Sequence, residues 1–146
     1  MDDPDTQRAL KLFVVLARST NSVMEHAHDD IRRHDLTPSE FAVLEMLHHR
    51  GPTPLGEVAA RVLLKTGSLT HVVDQLVKKG LVVRVPCDRD RRVLYADLTR
   101  EGKEKIAAIF PAHAERIRWA MSGLTADEQE QAIALLRRLG HSAKAG

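Results

Sequence analysis

The stretch from Leu55 to Gly102, LGEVAARVLLKTGSLTHVVDQLVKKGLVVRVPCDRDRRVLYADLTREG, constrains the chain more than any other segment. Leu55, Val58, Ala59 and Val62 recur at i, i+3, i+4 and i+7, and Leu69, Val72, Val73 and Leu76 repeat that spacing, so each segment presents one apolar stripe. Helices this short cannot stand alone and must pack on one another and on a third element. Thr66 stands where a side-chain oxygen can accept from the first-turn amides of the second helix. Gly80, after Lys78 and Lys79, stands where that helix stops, which predicts a helix over about Gly67 to Lys79.

The opposite face of that second helix carries Gly67, Ser68, Thr70, His71, Asp74, Gln75 and Lys78, with small residues at its N-terminal end that let the backbone approach a surface closely. A solvated polar face is the common alternative, and the hairpin next in the chain weighs against it. Leu81, Val83 and Val85 alternate with Val82 and Arg84, and Val93 to Leu98 is again β-branched and apolar, so Pro86 to Arg92 is the loop between two paired strands. That loop, PCDRDRR, is too long and too charged for a tight turn. Arg89, Arg91 and Arg92 on it make a second basic prong, and arginine is favoured in narrow minor grooves. Helix, helix and a hairpin with a basic tip form a winged helix-turn-helix. The fold class expected is therefore mainly α with a small β-hairpin wing, flanked by N- and C-terminal helices.

Charge supports that reading. The whole chain carries only +2, yet residues 61 to 92 hold eight Lys or Arg against Asp74, Asp88 and Asp90, a local balance of +5 that leaves −3 for the rest. The attraction for a polyanion therefore sits on the helix-and-wing segment. Single-strand and RNA binders use stacking platforms, and the basic segment and its strands offer only Tyr95, so duplex DNA is the better partner.

The flanks read as helices. From Thr6 to about Ile31, Leu10, Ala17, Met24 and Ile31 recur at seven-residue intervals, joined by Phe13 and Val14. A helix of about 25 residues rises roughly 37 Å, more than a winged helix of this size needs, so its stripe is expected to meet another subunit. Thr37-Pro38-Ser39-Glu40 is a capping box that opens a third helix burying Phe41, Leu44 and Leu47 before Gly51-Pro52, and Thr53 to Leu55 adds a short strand beside the wing. Thr99 caps a helix bearing Ile106, Ile109, Phe110, Ile117 and Met121, with Pro111 implying a kink or break near Phe110. Thr125 to Glu128 is another capping box, opening a last helix with Ile133, Leu135, Leu136 and Leu139 that should end at Gly140.

Several linked spacings carry a resemblance. Asp90-x-Arg92, then five residues, then Leu98-Thr99-x-x-Gly102, preceded by Ser68-Leu69-Thr70 and Val73-Asp74-x-Leu76-x-Lys78-Lys79-Gly80-Leu81-Val82, resembles the wing and recognition-helix signature of the MarR family of bacterial transcriptional regulators. The resemblance covers nearly the whole chain. It implies a homodimer with a DNA-binding lobe over residues 37–102 and dimerisation helices over 6–34 and 103–141. It also implies a pseudo-palindromic duplex operator and a small-molecule effector, with repression as the usual outcome. On this reading Lys65, Ser68, Thr70, His71 and Gln75 face the major groove and Arg91 or Arg92 the minor groove, with Thr66 and Gly67 as further DNA-binding residues. Arg84, Arg89, Arg91 and Arg92 serve the wing contact, and Asp90 orients the wing. His71 stands where relatives often carry Arg or Asn, and Cys87-Asp88 where Asp-Pro is common, which puts base preference and tip geometry in question. The run GSLTHVVDQLVKKGLV, the PC before DRR and Ile109-Phe110-Pro111-x-His113 are most similar to the subset linked to quinone and catechol stress.

Other chemistry is thinly represented. His26 and His28 are i, i+2 and His48 and His49 are adjacent, and neither spacing puts two rings on one helix face, so no metal and no cofactor is expected. Ser68 sits in GSL rather than in a nucleophile elbow, and no Gly-rich phosphate loop is present, which argues against an enzyme. Cys87, the single cysteine, excludes an internal disulfide and fits a reducing compartment. Lying between Arg84 and Arg89, it is either a redox or electrophile sensor or an inert thiol. The peroxide-sensing branch of the family carries its cysteine near the start of the first helix, where this chain has none. Phe13, His28, Phe41 and His113 are the aromatic and titratable side chains expected to line an effector pocket for a small phenol or quinone, where dimer helices and DNA-binding lobe meet. No apolar run approaches membrane-spanning length and the start, MDDPDTQ, is acidic, so a cytoplasmic protein without membrane partners is expected. The rival from another class is a winged helix used as a protein-interaction module.

Overall fold

Local chemistry sets several of the boundaries in the computed structural model, which describes residues 3–62 and 66–145, apart from the side chains at 66 and 67. The first helix, α1, runs Pro4–Arg32. After a turn in which Asp35 adopts φ 57°, the Thr37 hydroxyl accepts from the Glu40 N–H at 3.1 Å and the Glu40 carboxylate accepts from the Thr37 N–H at 2.9 Å. This reciprocal pair starts α2 (Pro38–Arg50). Gly51, at φ 78°, ends it by donating to the Leu47 carbonyl at 2.8 Å. Strand β1 (Thr53–Pro54) leads directly into α3 (Leu55–Arg61), so the expected short strand stops one residue early.

Helix α4 spans Thr66–Lys78. Its end is a Schellman closure: Leu81 N–H reaches the Leu76 carbonyl and Gly80 N–H the Val77 carbonyl, both at 3.0 Å, with Gly80 at φ 75°. The wing follows as β2 (Val82–Pro86) and β3 (Leu94–Leu98), paired antiparallel from Val82↔Leu98 to Pro86↔Leu94, with β1 on the far side of β3. Val82 and Arg84 turn inward beside Leu98 and Ala96, whereas Val83 and Val85 are both 42% exposed. Leu81 is buried, but it belongs to the turn that closes α4 and not to the strand, so it does not set the strand's phase.

Helix α5 (Arg100–Ala120) is anchored by Thr99. Its hydroxyl donates to the Gly80 carbonyl at 2.6 Å and accepts from the Gly102 N–H at 3.0 Å, while its own N–H donates to the Leu81 carbonyl at 3.0 Å. One residue thus joins the end of α4, the end of the wing and the start of α5. The helix continues through Pro111 without a break. Helix α6 (Ala126–Ala145) opens on the Thr125–Glu128 capping box, with bonds of 2.9 and 3.2 Å. It does not end at Gly140, which stays right-handed, and the residues after it, rich in alanine, carry the helix on to Ala145.

Contacts divide the chain into two units. The first, Ala27–Ala114, has a core in which Val43, Leu44, Leu47, Val58, Val73, Leu76, Val82 and Ile106 are wholly buried. Both predicted stripes point into it: Leu69, Val72, Val73 and Leu76 are buried, as are Val58 and Ala59, with Leu55 and Val62 packed at the edge. The second unit comprises the described residues up to His26 together with those from Glu115 on. Its apolar side chains are not buried: α6 has no buried residue, and Phe13, Leu135 and Leu136 are 69%, 55% and 50% exposed. Among the described residues no helix is long and apolar enough to cross a membrane.

Candidate nucleic-acid interface

Burying Leu69, Val72, Val73 and Leu76 leaves the other side of α4 to polar residues, and Ser68, Thr70 and His71 are exposed there with Gln75 half-buried. Lys65 lies outside the described residues, as do the side chain of Thr66 and the surroundings of Gly67.

The wing tip is held by one acid. Asp90 accepts the Arg92 backbone N–H and its Nε, each at 3.1 Å, and its own carbonyl accepts the Val93 N–H at 3.0 Å. Cys87 N–H then reaches the Val93 carbonyl at 2.9 Å, so residues 87–93 form a closed loop. The Arg92 side chain, followed by its backbone N–H, holds the Asp90 carboxyl below the usual carboxylate range. Arg89 and Arg91 are exposed and, among the described residues, make no ion pair. Cys87 is half-buried and lines a shallow cleft with Pro52, Arg89, Tyr95 and Asp97.

Arg84 sits differently from the other wing arginines. Its guanidinium is ion-paired with Asp74 on α4, tying the inner strand of the wing to the helix. The sequence placed Asp74 on the polar face without this partner, because a bond between a helix and the strand ten residues on leaves no periodic signal. Lys79, read from the sequence only as a complement to the helix end, bonds Glu40 and the Asp35 carbonyl.

Of the residues proposed for an effector pocket, Phe41 and His113 lie together, their ring centroids 4.4 Å apart. His113 is 7% exposed, and its Nδ1 stands 3.5 Å from Oδ2 of Asp30 without hydrogen-bond geometry. His28, in the same unit, has a buried Nε2 with no hydrogen-bond partner among the described residues. Phe13 belongs to the other unit and is exposed there.

The MarR family profile matches residues 36–94, from the turn before α2 to the first residue of β3. Over 139 residues the chain is 44% identical to an uncharacterized HTH-type transcriptional regulator, YkoM, of Bacillus subtilis (strain 168), covering 95% of this chain and 90% of that protein. The chain belongs to the MarR family. A second member from the same strain, the HTH-type transcriptional regulator MhqR, is 42% identical over 139 residues, 95% of this chain and 96% of the relative. In fold, the MarR-family regulator Sco3205 of Streptomyces coelicolor, solved in complex with DNA, matches with a TM-score of 0.82 at 24% identity, over 97% of this chain and 92% of that one. As a MarR-family member the protein is a DNA-binding winged-helix transcriptional regulator and not an enzyme.

Proposed function

We propose that this MarR-family protein acts as a homodimeric repressor. The N-terminal half of α4 enters the major groove of a pseudo-palindromic operator, the loop 87–93 follows the neighbouring minor groove, and a small aromatic effector releases the complex. The observation that carries the DNA contact is the pairing of two exposed elements: the Ser68, Thr70, His71, Gln75 edge of α4 and the arginine tip closed by Asp90. Lys65, Thr66 and Gly67 are proposed as further DNA contacts. Arg84, engaged by Asp74, would brace the wing on the helix instead of reaching a phosphate. In support of a dimer, α6 buries nothing and leaves Ile133, Leu135, Leu136 and Leu139 open, an apolar area that a second copy of the chain would cover.

Replacing Arg91 and Arg92 together by Ala tests the DNA reading. The expected result is weaker binding to all duplexes alike and a salt dependence flattened by about one unit of slope for each phosphate no longer neutralised. Replacing His71 or Gln75 should instead change the preference among duplexes. Unchanged affinity in the double arginine variant would remove the wing from the interface.

For the effector, Phe41 offers a ring face, and His28 Nε2, Asp30 Oδ2 and His113 Nδ1 are buried polar atoms with no hydrogen-bond partner among the described residues. Leaving a buried polar atom without a hydrogen bond costs about 1–3 kcal/mol, so a phenol or catechol whose hydroxyl reached His28 Nε2, or the Asp30–His113 contact, would recover part of that. The alternative route is covalent addition of a quinone to Cys87. A Cys87→Ser protein should still be released from DNA by catechols. Loss of release would transfer the effector chemistry to the thiol.

A further inference from the structure

Glu40 is a carboxylate whose capping role accounts for only one of its oxygens. As the third residue of α2 it caps Thr37, for which Oε1 suffices, yet the residue is only 3% exposed. A buried carboxylate must find compensating charge or hydrogen bonds. The compensating charge comes from thirty-nine residues away. Lys79 lies just past α4, where its N–H still reaches the Gln75 carbonyl at 3.0 Å. Its Nζ stands 3.1 Å from Oε1 and 3.0 Å from Oε2 of Glu40, and 2.7 Å from the backbone oxygen of Asp35. Asp35 is the one non-glycine residue at positive φ among those described, so the ammonium also braces the turn that brings α1 into α2. Burial pushes the Glu40 carboxyl up, but the bonds from Thr37 and Lys79 outweigh it and hold the group below its ordinary value.

Recognition chemistry adjoins this pair. His71 and Gln75, two and one turns before Lys79 on α4, line a shallow cleft with Thr37, Glu40 and Lys79. We infer that Lys79 and Glu40 are positioning residues for operator recognition. Their ion pair, braced on the Asp35 carbonyl, sets how α4 is carried on α2, and so where His71 and Gln75 meet the base edges. Lys79 itself does not touch DNA. The inference rests on the proposal that α4 enters the major groove. It differs from the plain expectation for a lysine in a basic segment, which is a phosphate contact that would appear in the salt dependence.

The test compares wild-type protein, Lys79→Met, and the double variant Glu40→Gln with Lys79→Met. Lys79→Met leaves an uncompensated carboxylate in the core, whereas the double variant removes both charges and keeps a side-chain oxygen to accept from Thr37. The probes are a duplex selected from random sequences on the wild-type protein and the same duplex with its half-site base pairs changed, each titrated over a range of salt. The double variant should melt cooperatively, bind the selected duplex about tenfold more weakly, bind the altered duplex as wild type does, and keep the wild-type salt slope. If Lys79→Met alone does not fold, the double variant carries the comparison.

Three results would overturn the inference while leaving the role of α4 intact: unchanged affinity for the selected duplex, equal loss on both duplexes, or a slope reduced by about one, the mark of a phosphate no longer neutralised. Failure of the wild-type protein to bind any duplex would overturn both.

Discussion

Replacing Gly102 by alanine is expected to lower the melting temperature by about 10 °C, corresponding to a loss of about 3 kcal/mol. A Cβ at this position would stand 2.0 Å from the Leu81 carbonyl oxygen and 3.0 Å from its carbon, both backbone atoms that no side-chain rotation can relieve. Moving α5 away is no remedy. The same Leu81 oxygen accepts the Thr99 N–H at 3.0 Å, and the Thr99 hydroxyl holds the Gly80 carbonyl at 2.6 Å, so separation would break the joint that ties α4, the wing and α5. Gly56 supplies the control, since a Cβ there meets nothing within 4 Å. Gly56→Ala, inside α3, should raise stability by about 0.5–1 kcal/mol. Thermal melts followed by circular dichroism read both, and equal melting of the two variants would show that the Leu81–Gly102 approach is not required.

Features that depend on neighbours in sequence were legible from the chain itself. The Thr37–Glu40 and Thr125–Glu128 boxes, the Gly80 stop and the buried stripe of Leu69, Val72, Val73 and Leu76 each follow from a few residues whose chemistry has one local solution. The wing was legible as a hairpin but not in its phase. Leu81 belongs to the helix closure, so alternation counted from it does not tell which face of the strand is buried, and packing buries Val82, Ala96 and Leu98. Gly140 misled for a related reason: glycine ends a helix only when it turns left-handed, and nothing beyond it in the chain demands that.

Within the candidate site, the polar edge of α4 and the arginines of the loop could be read directly. The bonds that fix their geometry could not. Arg84 to Asp74, Lys79 to Glu40 and Thr99 to Gly80 join residues ten, thirty-nine and nineteen apart, set by how the elements pack.

The second large effect concerns assembly. Replacing Leu135 and Leu136 together by Glu should yield a monomer, because both are half-exposed on a helix with no buried residue and charge there would forbid a second copy from covering them. The helix itself should persist, held by the Thr125–Glu128 box. Two recognition helices on one dimer engage two half-sites at once, so the monomer should bind a two-half-site duplex about a hundredfold or more weakly than wild type. A variant that stays dimeric, or binds like wild type, would place the interface elsewhere.

Sedimentation of the wild-type protein with a duplex selected from random sequences is the most direct test of a dimeric, operator-binding regulator. The expected result is two chains per duplex and a selected site with a dyad, its half-sites centred about 34 Å apart, one helical turn of DNA. One chain per duplex, or a site without a dyad, would contradict it.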